Sequence, residues 1–425
     1  MAKIIGGIGA SHSPTIAFAK DTNKSNDPIW SPIFEGFSVV QDWVKEKEVD
    51  VLFLIFNDHI TSFFFDHYSP FTLGVDDQYE TADEGGGRRD YPAAKGHAAL
   101  SRHIGQALVA DEFDMSFFQK KPLDHGFFSP LSMIAADDAG WGGTVVPLQV
   151  GVLQLPIPNA KRCYKLGKSL RKAIESYPED LRVAVVATGG LSHQVHGERC
   201  GYLNEEWDEQ FLEQLEHEPE ALTQLRLAEY ADQAGMEGAE VIMWLIMRGA
   251  LSDKVKRVHK ASYAPSMTNI VTVIYEDLGE TPSEQTLAAY REHIHYEMAG
   301  AEALEGTHPF DLEKSLKAYR INDFLHRLIE PEHRARFVED LEGLMEAFKL
   351  TEVERDLIRN KKWIELIHYG AIFFVLEKMA PVVGVTNPEV YASFRGQTLE
   401  EFQKSRKVAM KYSVAGGDKS RELDK

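Results

Sequence analysis

A chain of 425 residues exceeds one ordinary hydrophobic core, so two domains are expected, and 44% apolar with 26% charged residues is a globular composition. Sixty-six acidic against 46 basic side chains leave a net charge of −20, which excludes a broad basic face for nucleic acid and makes any anion site depend on local groups. Two cysteines allow no thiolate metal cage, and MAKIIGGIGASHS has no apolar stretch of signal or membrane length, so a reducing, cytoplasmic setting without a membrane partner is expected.

In chain order, residues 3–8 (KIIGGI) read as a first buried strand, followed at once by His12 in GASHSPT. Residues 32–47 read as a helix, with Ile33, Phe37, Val40 and Val44 on one stripe behind Pro32. Residues 49–56 (VDVLFLIF) form the next strand and end at Asn57, Asp58 and His59. The segment DEGGGRRDYP (83–92) lacks the spacing of a phosphate-binding fingerprint and reads as mobile surface or a lid, carrying Arg88 and Arg89. His125 lies in PLDHGFFSP. Strands follow at 145–152 and 182–188, with a helix at 159–176 between them, and RVAVVAT leads through GGLSHQVHG to His193. A helical pattern over 236–249 carries Glu240 one turn in, and 269–275 is the last strand.

Alternating strands and helices predict an α/β fold for residues 1–280, a central sheet flanked by helices. Residues 281–308 are polar and weakly patterned, as expected of a connecting segment. Residues 309–400 read as helices only, a smaller all-α domain. Thr351 and Glu354 have capping-box spacing, and 361–380 reads as one long helix ended by Pro381. Residues 401–425 read as a tail, disordered from about 413.

His12, His59 and His193 each follow a strand, and in open α/β sheets ligand sites gather beyond the carboxyl ends of strands. Each histidine taken alone reads first as a hydrogen-bonded loop residue; their shared position after a strand, together with a carboxylate elsewhere, favours the functional reading. Glu240 sits among apolar neighbours, where a carboxylate is costly unless paired or metal-bound, and Glu237 on much the same face is its rival. Two imidazoles and one carboxylate with open positions suit a non-haem Fe(II) oxygenase, and the same set would serve a zinc hydrolase. His125 and His193 are candidate acid–base groups, with His196 a substitute; Asp124 or Ser192 could hold either ring as an ordinary structural pair.

GASHSP, FNDH, LDHGFFSPL, GGLSHQ and GMEGAEVIMW, in this order, resemble the class-II extradiol ring-cleaving dioxygenases, whose catalytic subunit is of the protocatechuate 4,5-dioxygenase β type. The likeness spans roughly residues 1–280, and 309–400 resembles that enzyme's small α subunit, here fused in one chain as in the gallate-cleaving members. It implies Fe(II) on His12, His59 and Glu240, an acid–base role for His193 and a second active-site histidine at His125. Asn57 and Thr268 match nearby polar positions. It further implies extradiol cleavage of gallate by O₂ to 4-oxalomesaconate in a homodimer. Glu377 and Tyr412 are candidates to reach gallate's third hydroxyl in a partner chain, against plainer readings as a helix-end charge and a packed tail aromatic. A single-chain protocatechuate 4,5-dioxygenase and a non-catalytic metal-binding relative are the alternatives.

Overall fold

The computed structural model describes residues 1–135 and 139–406; Tyr412 and the expected tail beyond 406 lie outside the described residues. The chain divides into two compact units, with the boundary between Glu297 and Met298. The first is α/β. Its described residues form ten strands, β1 (Lys3–Ala10), β2 (Val51–Phe56), β3 (Phe71–Gly74), β4 (Gln78–Tyr79), β5 (Ala94–Lys95), β6 (Ser116–Phe118), β7 (Thr144–Val150), β8 (Arg182–Thr188), β9 (Val255–Tyr263) and β10 (Ile270–Asp277). Eight of them form one sheet in the order β6-β3-β7-β2-β8-β1-β10-β9, and β4 pairs with β5. The middle four, β7-β2-β8-β1, are parallel, so the carboxyl ends of β1, β2 and β8 open side by side at one edge.

Alternate residues of the parallel strands feed opposite layers, as the two-residue period requires. Phe53, Ile55, Val146, Leu148, Val183 and Val185 pack into one core; Leu52, Leu54, Phe56, Val145, Ala184 and Val186 pack into the other. Helices α1 (Pro14–Asp21), α2 (Ser31–Glu46), α3 (Ala98–Ala110), α4 (His125–Ile134), α5 (Ala160–Glu175) and α6 (Glu205–His217) surround the sheet. The first layer draws on α3, α5 and the helix Ile242–Ala250; the second draws on α2 and α4.

Apolar runs marked the five strongest strands to within two residues at either end. β9 escaped, because VKRVHKASY is rich in charged residues along a sheet edge, its positions alternately half-buried and exposed. Residues 281–308 hold more than a connection. Ser283 caps the helix Glu284–His295, whose Tyr290 bonds Asp111 at 3.1 Å and whose Arg291 donates to the Ser176 carbonyl at 3.2 Å.

His103 Nε2–H on α3 donates to the Ala173 carbonyl (3.1 Å) and lies 2.8 Å from the Ser176 hydroxyl, and burial lowers its pKa from 6.5 to about 4. A ring that resists protonation only when folded supports the fold fully above pH 6.5. That support falls away as pH drops towards 4, where the unfolded chain takes up the proton first. The ceiling is about 3 kcal/mol. Chemical denaturation at pH 7 and pH 4.5 is expected to show a slope between the two that flattens in His103→Gln; an equal slope in both proteins would remove this assignment.

The second unit packs its own core around Phe324, Leu325, Leu366, Leu376 and Met379. Thr351 and Glu354 do form a capping box, on the helix Glu352–Arg359. The single long helix expected over 361–380 is two, Trp363–Tyr369 and Phe373–Val382. Gly370 takes φ 120 between them, and Asn322 bridges the break, donating to the Gly370 carbonyl (3.0 Å) and accepting from Ile372 N–H (2.9 Å). Pro381 lies inside the second helix rather than ending it.

Candidate active site

Three parallel strand ends, the start of α4 and a short turn bring four histidines and one carboxylate into one cleft. His12 follows β1, His59 follows β2, His193 follows β8 and His125 is the first residue of α4. The His12 and His59 rings lie 4.9 Å apart edge to face, and His59 stacks on His125 at 4.0 Å. Glu240 Oε1 lies 3.5 Å from His12 Nε2 and 3.9 Å from His193 Nε2. Glu240 belongs to a short 3-10 turn, Gly238–Val241, ahead of the helix Ile242–Ala250, rather than one turn into a helix. The turn is tied down by Gly238 N–H donating to the His193 carbonyl, so ligand and base candidates share one scaffold.

Each imidazole is held at Nδ1. Thr188 Oγ1 donates to the Gly126 carbonyl (3.3 Å) and therefore accepts from His12 Nδ1–H (3.0 Å). Asp124 Oδ2 accepts from His59 Nδ1–H at 2.9 Å and from His59 N–H at 2.7 Å. Leu191 O accepts from His193 Nδ1–H at 2.8 Å, and Glu84 Oε2 from His125 Nδ1–H at 2.5 Å. With the proton placed on Nδ1, each ring keeps a lone pair on Nε2.

Burial first, then the charges of His59, His125 and His193, hold the His12 pKa well below 6.5, so its ring is a neutral donor of electrons. Burial also pulls on His59, but the hydrogen bond and charge of Asp124 reverse it and raise the pKa. The same pair keeps Asp124 below the usual carboxylate range against its own burial.

One ligand atom each from His12, His59 and Glu240 lies within 4.8 Å of the others, and a second group, His59, Asp124 and His125, also meets that limit. Donors about 2.1 Å from a shared ion sit at most about 4.2 Å apart, so the first group needs only a few tenths of an ångström to close. Asp124 is spent on His59 and on Gly126 N–H as the cap of α4. An imidazole braced by a carboxylate at one nitrogen is the usual form of a metal-ligating histidine. The first group therefore fits a metal ion, with Asp124 as a brace.

Two glycines make room. Gly189 takes φ 110, and Gly190 N–H donates to Glu240 Oε1 at 2.5 Å. A Cβ at Gly190 would lie 2.6 Å from the His193 ring. Gly190→Ala is expected to displace that ring and lower turnover on the order of 100-fold with thermal unfolding little changed; wild-type kcat would remove the constraint.

Glu237, the rival carboxylate, pairs with His196 in an exposed contact and accepts from Val195 N–H. Ser192 holds neither imidazole; it donates to buried Asp208 at 2.7 Å. Asn57 reaches the His59 ring through Nδ2 at 3.4 Å, and its buried Oδ1 has no hydrogen-bond partner among the described residues. Thr268 pairs with His193 through a backbone bridge. Arg88 and Arg89 are engaged elsewhere, with Glu80 and with Asp21. Glu377 lies in the second unit, 6% exposed rather than a surface charge. It accepts from Asn387 Nδ2 and the Tyr391 hydroxyl. Sequence reasoning missed Thr188 and Glu84 as braces; Asp124 carried a legible signal as the capping residue of LDHG.

Residues 6–275 match the family model described as the catalytic LigB subunit of aromatic ring-opening dioxygenase. Residues 321–407 match the LigA subunit of the aromatic-ring-opening dioxygenase LigAB. A Pseudomonas putida protein named gallate dioxygenase is 60% identical over 335 residues, 79% of this chain and 98% of the relative. A Klebsiella pneumoniae protein named 2,3-dihydroxyphenylpropionate/2,3-dihydroxicinnamic acid 1,2-dioxygenase is 26% identical over 43% of this chain and 55% of its own. A solved structure of an uncharacterized Escherichia coli K12 protein overlaps 64% of this chain and 99% of its own at 14% identity, with a TM-score of 0.41.

Proposed function

Because this chain belongs to the aromatic ring-opening dioxygenases with a LigB-type catalytic subunit, we propose that it opens the ring of gallate with O₂, at ferrous iron held by His12, His59 and Glu240, to give 4-oxalomesaconate. The observation that carries this reading is the gathering of three Nδ1-anchored imidazoles, His12, His59 and His193, around one buried carboxylate, with a fourth, His125, stacked on His59. The relative named gallate dioxygenase supports the substrate. Two imidazoles and a carboxylate are the donor set of non-haem Fe(II) oxygenases. Ferrous iron bound there would bring two vicinal hydroxyl oxygens and O₂ together and make those hydroxyls more acidic.

The chain's own groups move the protons. His193 Nε2 accepts the proton of a ring hydroxyl while Leu191 O keeps Nδ1–H in place. His125 Nε2 takes the proton of a second hydroxyl and returns it later, while Glu84 keeps Nδ1–H in place. Asn57 Oδ1, buried and unpartnered, is an acceptor for a bound hydroxyl, and Thr268 lines the backbone beside His193.

The test is oxygen uptake by Fe(II)-reconstituted full chain, given gallate and protocatechuate side by side. Faster uptake and ring opening with gallate are expected; preference for protocatechuate would reassign the substrate, and no uptake with either would end the reading. A cytoplasmic homodimer belongs to the same reading, with a solution mass twice 47.9 kDa. So does the reach of Glu377 and Tyr412 to gallate's third hydroxyl in a partner chain, since a site built around that group rejects a ring lacking it. Glu377→Ala is expected to lose gallate turnover with iron content intact; unchanged kinetics would remove Glu377 from the site.

Among the described residues no helix is long and apolar enough to cross a membrane.

A further inference from the structure

Of the four acceptors that hold Nδ1 atoms around the cleft, three are fixed in the interior. Thr188 and Leu191 have no exposed surface and Asp124 has 1%. The fourth, Glu84, comes from the Gly-rich loop, and its side chain is 37% exposed. It grips one residue twice. Oε1 accepts from His125 N–H at 2.8 Å and Oε2 from His125 Nδ1–H at 2.5 Å.

The loop is shaped to deliver that carboxylate. Asp83 Oδ1 gathers Gly85 N–H and Gly87 N–H at 2.8 and 3.1 Å, and both glycines take φ 96, which side chains rarely adopt. Downstream, Arg89 bonds both Asp21 oxygens at 2.7 Å and donates to the Phe128 carbonyl and Ser132 Oγ. One end of the loop is thus bolted to α1 and α4, and its tip meets the site through Glu84. Among the described residues, the next carboxylate beside His125 Nδ1 after Glu84 is Asp124 at 4.0 Å. That is beyond hydrogen-bond reach, and Asp124 is already committed to His59.

We propose that Glu84 is the positioning residue of His125, a carboxylate brought by a surface loop that keeps the ring proton on Nδ1 and Nε2 turned to bound substrate. The inference rests on the reading of His125 as a group facing substrate. It gives the loop, read from the sequence as mobile surface or a lid, a specific purpose: the site is complete when the loop is docked.

The test combines a kinetic cycle with a proteolytic readout on full-length protein. Glu84→Ala is expected to lower kcat for gallate on the order of 10-fold, with KM changed less than about 3-fold. Glu84→Gln, which still accepts a hydrogen bond, is expected to recover most of that rate. In a His125→Ala background, Glu84→Ala should cost nothing further, because the two act as one unit. Independently of turnover, trypsin should cut after Arg88 or Arg89 faster in Glu84→Ala than in wild type. An equal loss of kcat in both backgrounds would assign Glu84 a general structural role and overturn the proposal, as would unchanged kcat. If wild type fails to open any ring, the functional reading falls; unchanged trypsin cleavage in Glu84→Ala would then overturn the docked-loop geometry as well.

Discussion

His193→Phe is expected to bind iron as wild type does and to open gallate 10²- to 10⁴-fold more slowly, the usual worth of one placed acid–base group (on the order given). His193 lies outside the three-donor group, so metal content should not change. Its Nδ1–H bond to Leu191 O is worth about 1 kcal/mol, too little to unfold the chain, and phenylalanine preserves the ring's bulk against Gly190. The expected signature is low kcat with full iron and ordinary unfolding. Turnover within about 3-fold of wild type would move the base role to His125.

The second large effect is at Glu240. Glu240→Gln is expected to leave less than one tenth of wild-type iron after anaerobic loading and desalting, with turnover lost in proportion. The carboxylate is 5% exposed, and beside it lie a neutral His12, His193, one backbone N–H and, within 4.8 Å, His59, whose charge Asp124 already balances. A buried charge so thinly compensated strains the metal-free protein, so the variant without metal should unfold at or above the wild-type temperature. Wild type should be stabilised by added Fe(II), by mass action, and Glu240→Gln should not. Asp124→Ala gives the graded comparison. It leaves all three donors but unbraces His59, an alteration that costs about 10- to 100-fold in metal affinity. If Glu240→Gln holds iron as tightly as wild type, Glu240 is no ligand.

The strand-end pattern made the first half of this site legible. VDVLFLIF, RVAVVAT and KIIGGI could be read as buried parallel strands because covering on both faces leaves continuous apolar runs. Their carboxyl ends then named His59, His193 and His12. Glu240 was legible as a carboxylate among apolar residues, though not its 3-10 turn, which depends on the long-range bond from Gly238 N–H to the His193 carbonyl.

The braces were not legible for the same reason. Thr188 lies 176 residues from His12, and Glu84 lies 41 from His125. Nothing local in VAT or DEGGG reports those contacts. Edge strand β9 and the break at Gly370 were missed because one has no apolar run and the other is made by Asn322, 48 residues away.

Anomalous diffraction at the iron edge, from crystals of the full chain loaded anaerobically with Fe(II), tests the ligand assignment most directly. One peak bonded by His12 Nε2, His59 Nε2 and the Glu240 carboxylate is predicted, with His193 and His125 nearby and unbonded. A peak on the neighbouring His59, Asp124 and His125 group, or none in the cleft, would contradict it.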